Sequence, residues 1–144
     1  MGTRSTIAVK HGDRIKAVYC HWDGYVDHNG RILLENYDST KANFLVALGD
    51  ISSLRENIGE KHSFDFRAVE GSEEATWTTF YDRDRGETGV EFKSFSSEAE
   101  WMDHYDGAGV EYYYVMDNGV WYVSDGSAFV PLHEAVAELG KESA

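Results

Sequence analysis

The segment from Tyr19 to Gly30, YCHWDGYVDHNG, concentrates side chains that could bind a ligand or take part in catalysis. Its twelve residues include two histidines, two aspartates, one cysteine and three aromatic residues, together with two glycines. Aromatic rings can stack on a planar ligand, and each stacked base contributes about 1–3 kcal/mol. Because these aromatic residues fall in a polar turn, we interpret the segment as one wall of a ligand pocket, with its contacts from His21, Trp22, Asp23, Tyr25 and His28.

The same segment also permits catalytic interpretations. His21, Asp23 and His28, with His62 or His104 as a further ligand, could hold a metal ion, but the separation of His21 and His28 matches no strong metal-binding motif. His21, Asp23 and His28 could also act in a small hydrolase. Cys20 and His21 are neighbours on a predicted strand, so their side chains point to opposite faces and form no close dyad. We therefore predict that Cys20 is a small core residue, assign no metal or cofactor, and keep a hydrolase as an alternative hypothesis.

A second candidate site is YDRDRGETG, residues 81–89. On a predicted strand end, Arg83 and Arg85 point the same way and could together grip a phosphate or carboxylate. The alternative is internal pairing of these arginines with Asp82, Asp84 or Glu87. On the first hypothesis, Arg83, Arg85 and Glu87 are ligand-binding residues.

Alternating polar and apolar residues predict the strands that would position these groups. STIAVK and RIKAVYCHW predict an antiparallel hairpin over residues 5–22, and residues 76–95 predict a second one. The clearest hairpin is VEYYYVMDNGVWYVSD, because Asn-Gly is the favoured dipeptide of a type I′ turn. A two-residue loop there pairs Met116 with Trp121 and Tyr114 with Val123 on one face, and Val115 with Tyr122 on the other.

Capping residues and apolar spacing predict short helices. Helices are expected in RILLENY, in KANFLVALG after the DST cap, in SSEAEWMDHY and in LHEAVAELG after Pro131, with one more turn near residues 52–54. Residues 23–30 and 57–75 are expected to be loops. The sum predicts a single α+β domain over residues 1–144, an antiparallel sheet built from hairpins with short helices packed on one face.

The net charge of −13 is confined to the second half of the chain. Residues 70–144 carry seventeen acidic residues against four basic ones, whereas residues 1–69 carry nine of each. An acidic surface repels the phosphates of nucleic acids and membranes, so we expect neither as a partner. Such a surface could instead meet a basic host protein, as a DNA mimic or protein-binding inhibitor does. The many tyrosines on half-buried strands make a homodimer plausible.

Four motifs occur together: TRSTIAV, YCHWDGY, ALGDISSL and RDRGETG. In this combination the chain resembles a family of small bacteriophage and prophage proteins with no established reaction. The resemblance implies a phage accessory protein in the bacterial cytoplasm, a setting in which such proteins often disarm host defences. Together with the candidate site, it leads us to expect a protein that sequesters a phosphorylated nucleotide-type defence signal without catalysis.

Overall fold

The computed structural model describes residues 3–142, with side chains for residues 3–139. Within this range eight strands form one sheet in the order β4-β3-β2-β1-β6-β7-β8, with β5 paired to β2. The strands are β1 (Ser5–His11), β2 (Arg14–Cys20), β3 (Ile51–Ser53), β4 (Thr79–Phe80), β5 (Lys93–Phe95), β6 (Tyr112–Asp117), β7 (Val120–Ser124) and β8 (Val130–Pro131).

Two of the predicted hairpins are confirmed. β1 and β2 are antiparallel, and β6 and β7 pair in the predicted register, with Met116 opposite Trp121 and Val115 opposite Tyr122. Asn118 and Gly119 both have positive φ, 52° and 83°, which a type I′ turn requires. The local turn chemistry therefore determined both the turn and the register.

The prediction of a purely antiparallel sheet was wrong. β1 pairs with β6 in parallel, from Ser5 opposite Tyr112 onward, and β2 pairs with β3 in parallel. The hairpin expected at residues 76–95 does not form, because β4 pairs with β3 and β5 pairs with β2. The sheet is mixed, and the α+β class is confirmed.

The helices are α1 (Arg31–Asn36), α2 (Ser39–Ala47), α3 (Tyr81–Arg85), α4 (Glu98–Asp106) and α5 (Leu132–Glu142). The side chains of Asp38 and Ser97 cap α2 and α4 by accepting hydrogen bonds from the third backbone N–H that follows, as predicted. Three local predictions were wrong: residues 26–30 form a π-helical turn, residues 51–53 a strand and residues 81–85 a helix. No helix in the described part of the chain is long and apolar enough to cross a membrane.

Helices cover both faces of the sheet, so the prediction of helices on one face was wrong. Leu33, Leu45 and Leu132, from α1, α2 and α5, pack on the face that carries Ile7 and Val18. The opposite face is covered by α4, through Trp101 and Tyr105. The Trp101 indole N–H donates a hydrogen bond to Thr6 Oγ1 at 3.1 Å, which fixes α4 to the centre of the sheet. The predicted domain of residues 1–144 includes four terminal residues that lie outside the described range.

Candidate functional site

The chain continues beside β3 after β2 ends, and this extension carries two of the predicted site residues. The backbone N–H of His21 donates to Ile51 O at 3.0 Å, and that of Trp22 donates to Ser52 O at 3.1 Å. Trp22 is 43% exposed although it is held by this pairing. A large, exposed and rigidly placed indole is suited to binding.

Trp22 lines a groove of about 480 Å³, here called the aromatic groove, between β3 and the segment 62–79. Its other aromatic walls are Phe64, Phe66 and Trp77. Trp77 and Phe66 flank the His62 ring, with ring centroids 6.2 and 5.9 Å away. Four aromatic side chains and one imidazole therefore surround a space large enough for a small planar molecule.

The aromatic groove also contains Arg55 and Arg67. Among the residues that the structure describes, no carboxylate lies within ion-pair distance of either guanidinium. Arg55 is half-buried, with Nη1 3.4 Å from His28 Nε2 and 3.4 Å from Leu54 O. Asp65 and Glu74 line the same groove and are exposed. The groove therefore combines flat apolar walls with two cations that lack an ionic partner within the described chain.

The remaining predicted residues of the first segment lie beside the aromatic groove and do not line it. His28 contacts Arg55, and its Nε2 is 4.0 Å from Asp23 Oδ2. Tyr25 is exposed, with its ring 6.0 Å from that of His28. Of the five predicted ligand contacts in this segment, Trp22 alone lines the aromatic groove.

His21 faces away from the other candidate catalytic groups. Its Nδ1 lies 2.8 Å from the Tyr19 hydroxyl, while burial, and secondarily Arg4, lowers the pKa of the imidazole. Cys20 is fully buried in the core, as predicted, and burial raises the pKa of its thiol to about 12. Within the described residues, no group of three or more histidine, cysteine or carboxylate side chains is placed to hold a metal ion.

Arg83 has a structural role beneath the groove, because its side chain points inward from α3 and is hydrogen-bonded within the protein. Its Nε lies 3.0 Å from Asp84 Oδ1, and its two terminal nitrogens donate to the carbonyl oxygens of Ile58 and Thr78 at 2.9 and 2.8 Å. The Asp84 carboxylate is fully buried and also accepts hydrogen bonds from the backbone N–H groups of Phe80 and His62. The internal pairing that was left open as an alternative is therefore the one observed for Arg83.

Arg85 lies on the opposite side of α3 from Arg83. Its Nη2 is 3.1 Å from Glu87 Oε2, and its guanidinium lies over the rings of Phe64 and Tyr81 at 4.7 and 5.6 Å. Arg85 and Glu87 thus pair with each other and support the back of Phe64, a wall of the aromatic groove. The two arginines do not grip one anion together.

Sequence reasoning missed Arg55, Phe64, Phe66, Arg67 and Trp77 as site residues, and it considered His62 only as a possible metal ligand. Residues 57–75 were expected to be an irregular loop, and Trp77 was assigned to a predicted strand. A signal was present in KHSFDFR, where His62, Phe64 and Phe66 alternate with polar residues and Arg67 follows. Aromatic and basic residues interleaved in a polar loop are typical of surfaces that bind nucleotides.

Two further hollows lie beside the Asn118-Gly119 turn, with volumes of about 660 and 730 Å³. The first contains Lys10, whose Nζ is already 3.8 Å from Asp117 and 4.0 Å from Glu98. The second is lined by Glu35 and Asp38, with no lysine or arginine among its lining residues. Neither offers the unpaired cations of the aromatic groove.

Comparison of the chain with protein-family models, curated proteins and solved structures gave no match.

Proposed function

We propose that this protein binds and sequesters a phosphorylated, nucleotide-type small molecule in the aromatic groove without converting it. The observation that carries the proposal is the placement of two arginines without carboxylate partners among four aromatic side chains. Stacking on such walls accommodates any nucleobase, because every base presents a flat π surface. Arginine is suited to the phosphate, since its planar fork can donate two parallel hydrogen bonds.

The state of the candidate catalytic groups supports binding over turnover. Cys20 is buried with its thiol pKa raised to about 12, so it supplies no thiolate near neutral pH. His21 is hydrogen-bonded to the Tyr19 hydroxyl and its ring packs against Trp22 without lining the groove, while His28 contacts Arg55. These placements favour ligand binding over hydrolysis as the role of the Tyr19–Gly30 segment.

The biological setting of the proposal comes from the resemblance of TRSTIAV, YCHWDGY, ALGDISSL and RDRGETG to phage and prophage proteins. A phage protein that holds a nucleotide signal in the host cytoplasm would lower the free concentration of that signal. Sequestration requires tight binding and no reaction, which is consistent with a groove lined by aromatic and guanidinium groups.

Titration of the purified protein with cyclic nucleotides and ADP-ribose-type nucleotides tests this function. Trp22 and Trp77 lie in the groove, so their fluorescence should change on binding, and chromatography should recover the ligand unaltered. Arg55→Ala combined with Arg67→Ala should weaken binding by at least about tenfold, the effect of about 1.4 kcal/mol. Arg14→Ala is the matched control, because Arg14 lies at the far end of β2 and binds Ser94. Failure of every nucleotide to bind, or equal loss in the control, would overturn the proposal.

A second candidate function uses a different surface. Helix α4 exposes Glu98, Glu100, Asp103 and Asp106, on the sheet face opposite to α1, α2 and α5. This acidic surface suits a basic protein partner, with binding that weakens as salt screens the charges. Glu100→Lys with Asp103→Lys should abolish capture of a DNA-binding host protein, whereas Arg55→Ala should leave it unchanged. Salt-independent capture would argue against this candidate.

A further inference from the structure

We infer that His28 is a positioning residue for Arg55, and that the Arg55 end of the aromatic groove is where the anionic group of the ligand binds. The inference rests on the proposed function for the class of ligand. It assigns to His28 a role different from the direct contact expected from the sequence. A chain of contacts runs from the buried Asn29 amide through the His28 ring to the Arg55 guanidinium.

The first step is the orientation of the Asn29 side chain, which is fully buried. Its Nδ2 lies 3.3 Å from the Trp22 carbonyl oxygen and 3.4 Å from Ser5 Oγ. A carbonyl oxygen can only accept a hydrogen bond, so the amide NH₂ must face Trp22. The Asn29 Oδ1 is then fixed on the side of His28, where it lies 3.0 Å from Nδ1.

The second step is the tautomer of His28. Since Asn29 Oδ1 is an acceptor, His28 Nδ1 must carry the hydrogen. In the neutral imidazole this leaves a lone pair on Nε2, and Arg55 Nη1 lies 3.4 Å from that nitrogen. Asp23 Oδ2, at 4.0 Å from Nε2, is beyond hydrogen-bond distance and does not compete. His28 therefore accepts a hydrogen bond from Arg55.

Part of the Arg55 guanidinium remains available to bind a ligand. Nη1 is directed to His28 and to Leu54 O, whereas Nε and Nη2 have no partner among the residues the structure describes. Ser52 and Ser53 line the groove beside this arginine. A guanidinium held at one nitrogen, with its other donors unpaired, is arranged to bind a phosphate with two hydrogen bonds. Holding it in advance reduces the entropy that binding must otherwise cost.

Matched substitutions of His28 distinguish the effect of the hydrogen-bond acceptor at Nε2 from the effect of the ring that fills the same space. His28→Phe keeps the ring but removes the Nε2 lone pair together with the Nδ1–H that Asn29 accepts, so it should weaken the binding of inorganic pyrophosphate by about tenfold, comparable to losing one charge-assisted hydrogen bond. His28→Gln can present an oxygen acceptor near the position of Nε2 and should restore most of the affinity. Adenosine, which has no phosphate, should bind all variants alike. His133→Phe, on the exposed start of α5, is the control.

The tautomer is measured independently of any ligand. Nitrogen-15 NMR of the free protein should show His28 with hydrogen on Nδ1, and Arg55→Ala should shift the Nε2 resonance. A hydrogen on Nε2 would overturn the inference, as would pyrophosphate binding unaffected by His28→Phe. If wild-type protein binds neither pyrophosphate nor any nucleotide, the proposed function fails, while the tautomer still decides the role of His28.

Discussion

Arg83 and Arg85 are separated by one residue, yet only Arg83 is essential to the packing beneath the groove. The Asp84 carboxylate is fully buried and is the ionic partner of Arg83. Asp84→Ala would leave the Arg83 charge buried without compensation, which destabilises proteins by about 3–5 kcal/mol. Urea unfolding should show a loss of this size. Asp82→Ala, on the exposed side of the same helix, should change stability by less than about 0.5 kcal/mol. Equal effects would contradict the assignment.

Arg85 is predicted to tolerate substitution. Its side chain is 53% exposed and pairs with Glu87 at the surface, where ion pairs contribute about 0–1 kcal/mol. Arg85→Ala should therefore reduce the free energy of unfolding by about 1 kcal/mol or less, including the loss of its contact with Phe64. Nucleotide affinity should stay within about threefold of wild type, since a threefold change is under 1 kcal/mol. A complete loss of binding in this variant would restore Arg85 as a direct ligand contact.

The expectation that both arginines face one anion failed because it depended on the local secondary structure. Residues two apart point the same way on a strand, but on a helix they are separated by about 200° around the axis. Residues 81–85 form α3, so Arg83 points inward and Arg85 outward. Trp22 lies in the aromatic groove because the chain after β2 continues as an extended segment beside β3, whereas no pattern in the sequence marks Arg55.

At the level of elements, the parts that could be predicted are those specified by neighbouring residues. The Asn118-Gly119 turn, the Asp38 and Ser97 caps and the Cys20 face all follow from short-range chemistry. β3, β4 and β5 have two or three residues each, and their residues pair with partners at least 26 positions away in the chain, such as Thr79 opposite Ser53. Such short segments carry no alternation to recognise, so the mixed sheet could not be deduced.

Gly59, just before segment 62–79, and Gly71, within it, give a matched test of how the aromatic groove is built. Gly59 and Gly71 both have positive φ, 70° and 85°, so alanine at either site costs about 1–2 kcal/mol in backbone strain. At Gly59 an added Cβ would also collide with the Trp77 side chain, whereas at Gly71 it would meet open space. Gly59→Ala should therefore displace a groove wall and abolish nucleotide binding, while Gly71→Ala should retain it. Fluorescence titration of both variants measures their nucleotide affinities. Equal affinities would contradict the prediction.

In the molecule as a whole, the acidic excess and the two arginines of the aromatic groove come from different halves of the sequence. Arg55 and Arg67 come from residues 1–69, where acids and bases balance, while the acidic excess lies in residues 70–144. A small anion can reach two arginines in a groove, whereas a long polyanion would also meet the acidic surface. Under the proposed function, this distribution of charge favours a small phosphorylated ligand over nucleic acid.

Burial of proton-donating groups throughout the core predicts that the fold loses stability in alkali. Desolvation raises the pKa of Cys20 and of Tyr37 to about 12, and Tyr37 donates its hydroxyl hydrogen to Arg55 O behind the groove. The ordinary values are 9.0 and 10.0, so above pH 9 the unfolded chain loses protons that the folded protein retains. The contribution of Cys20 and Tyr37 to the free energy of unfolding should therefore be constant up to about pH 9 and fall toward pH 12, by about 1.4 kcal/mol per pH unit for each group.

Urea unfolding between about pH 7 and pH 11 measures this slope, and two variants assign it. Cys20→Ala should reduce the slope of the free energy of unfolding against pH from about pH 9, and Tyr37→Phe should reduce it only above about pH 10. Each substitution removes one group that ionises when the chain unfolds at these pH values. Both proteins are compared with wild type by slope and not by absolute stability, since each also loses packing or a hydrogen bond. A slope that is unchanged in both variants, or stability that rises above pH 9, would show that these groups are not buried as the structure has them.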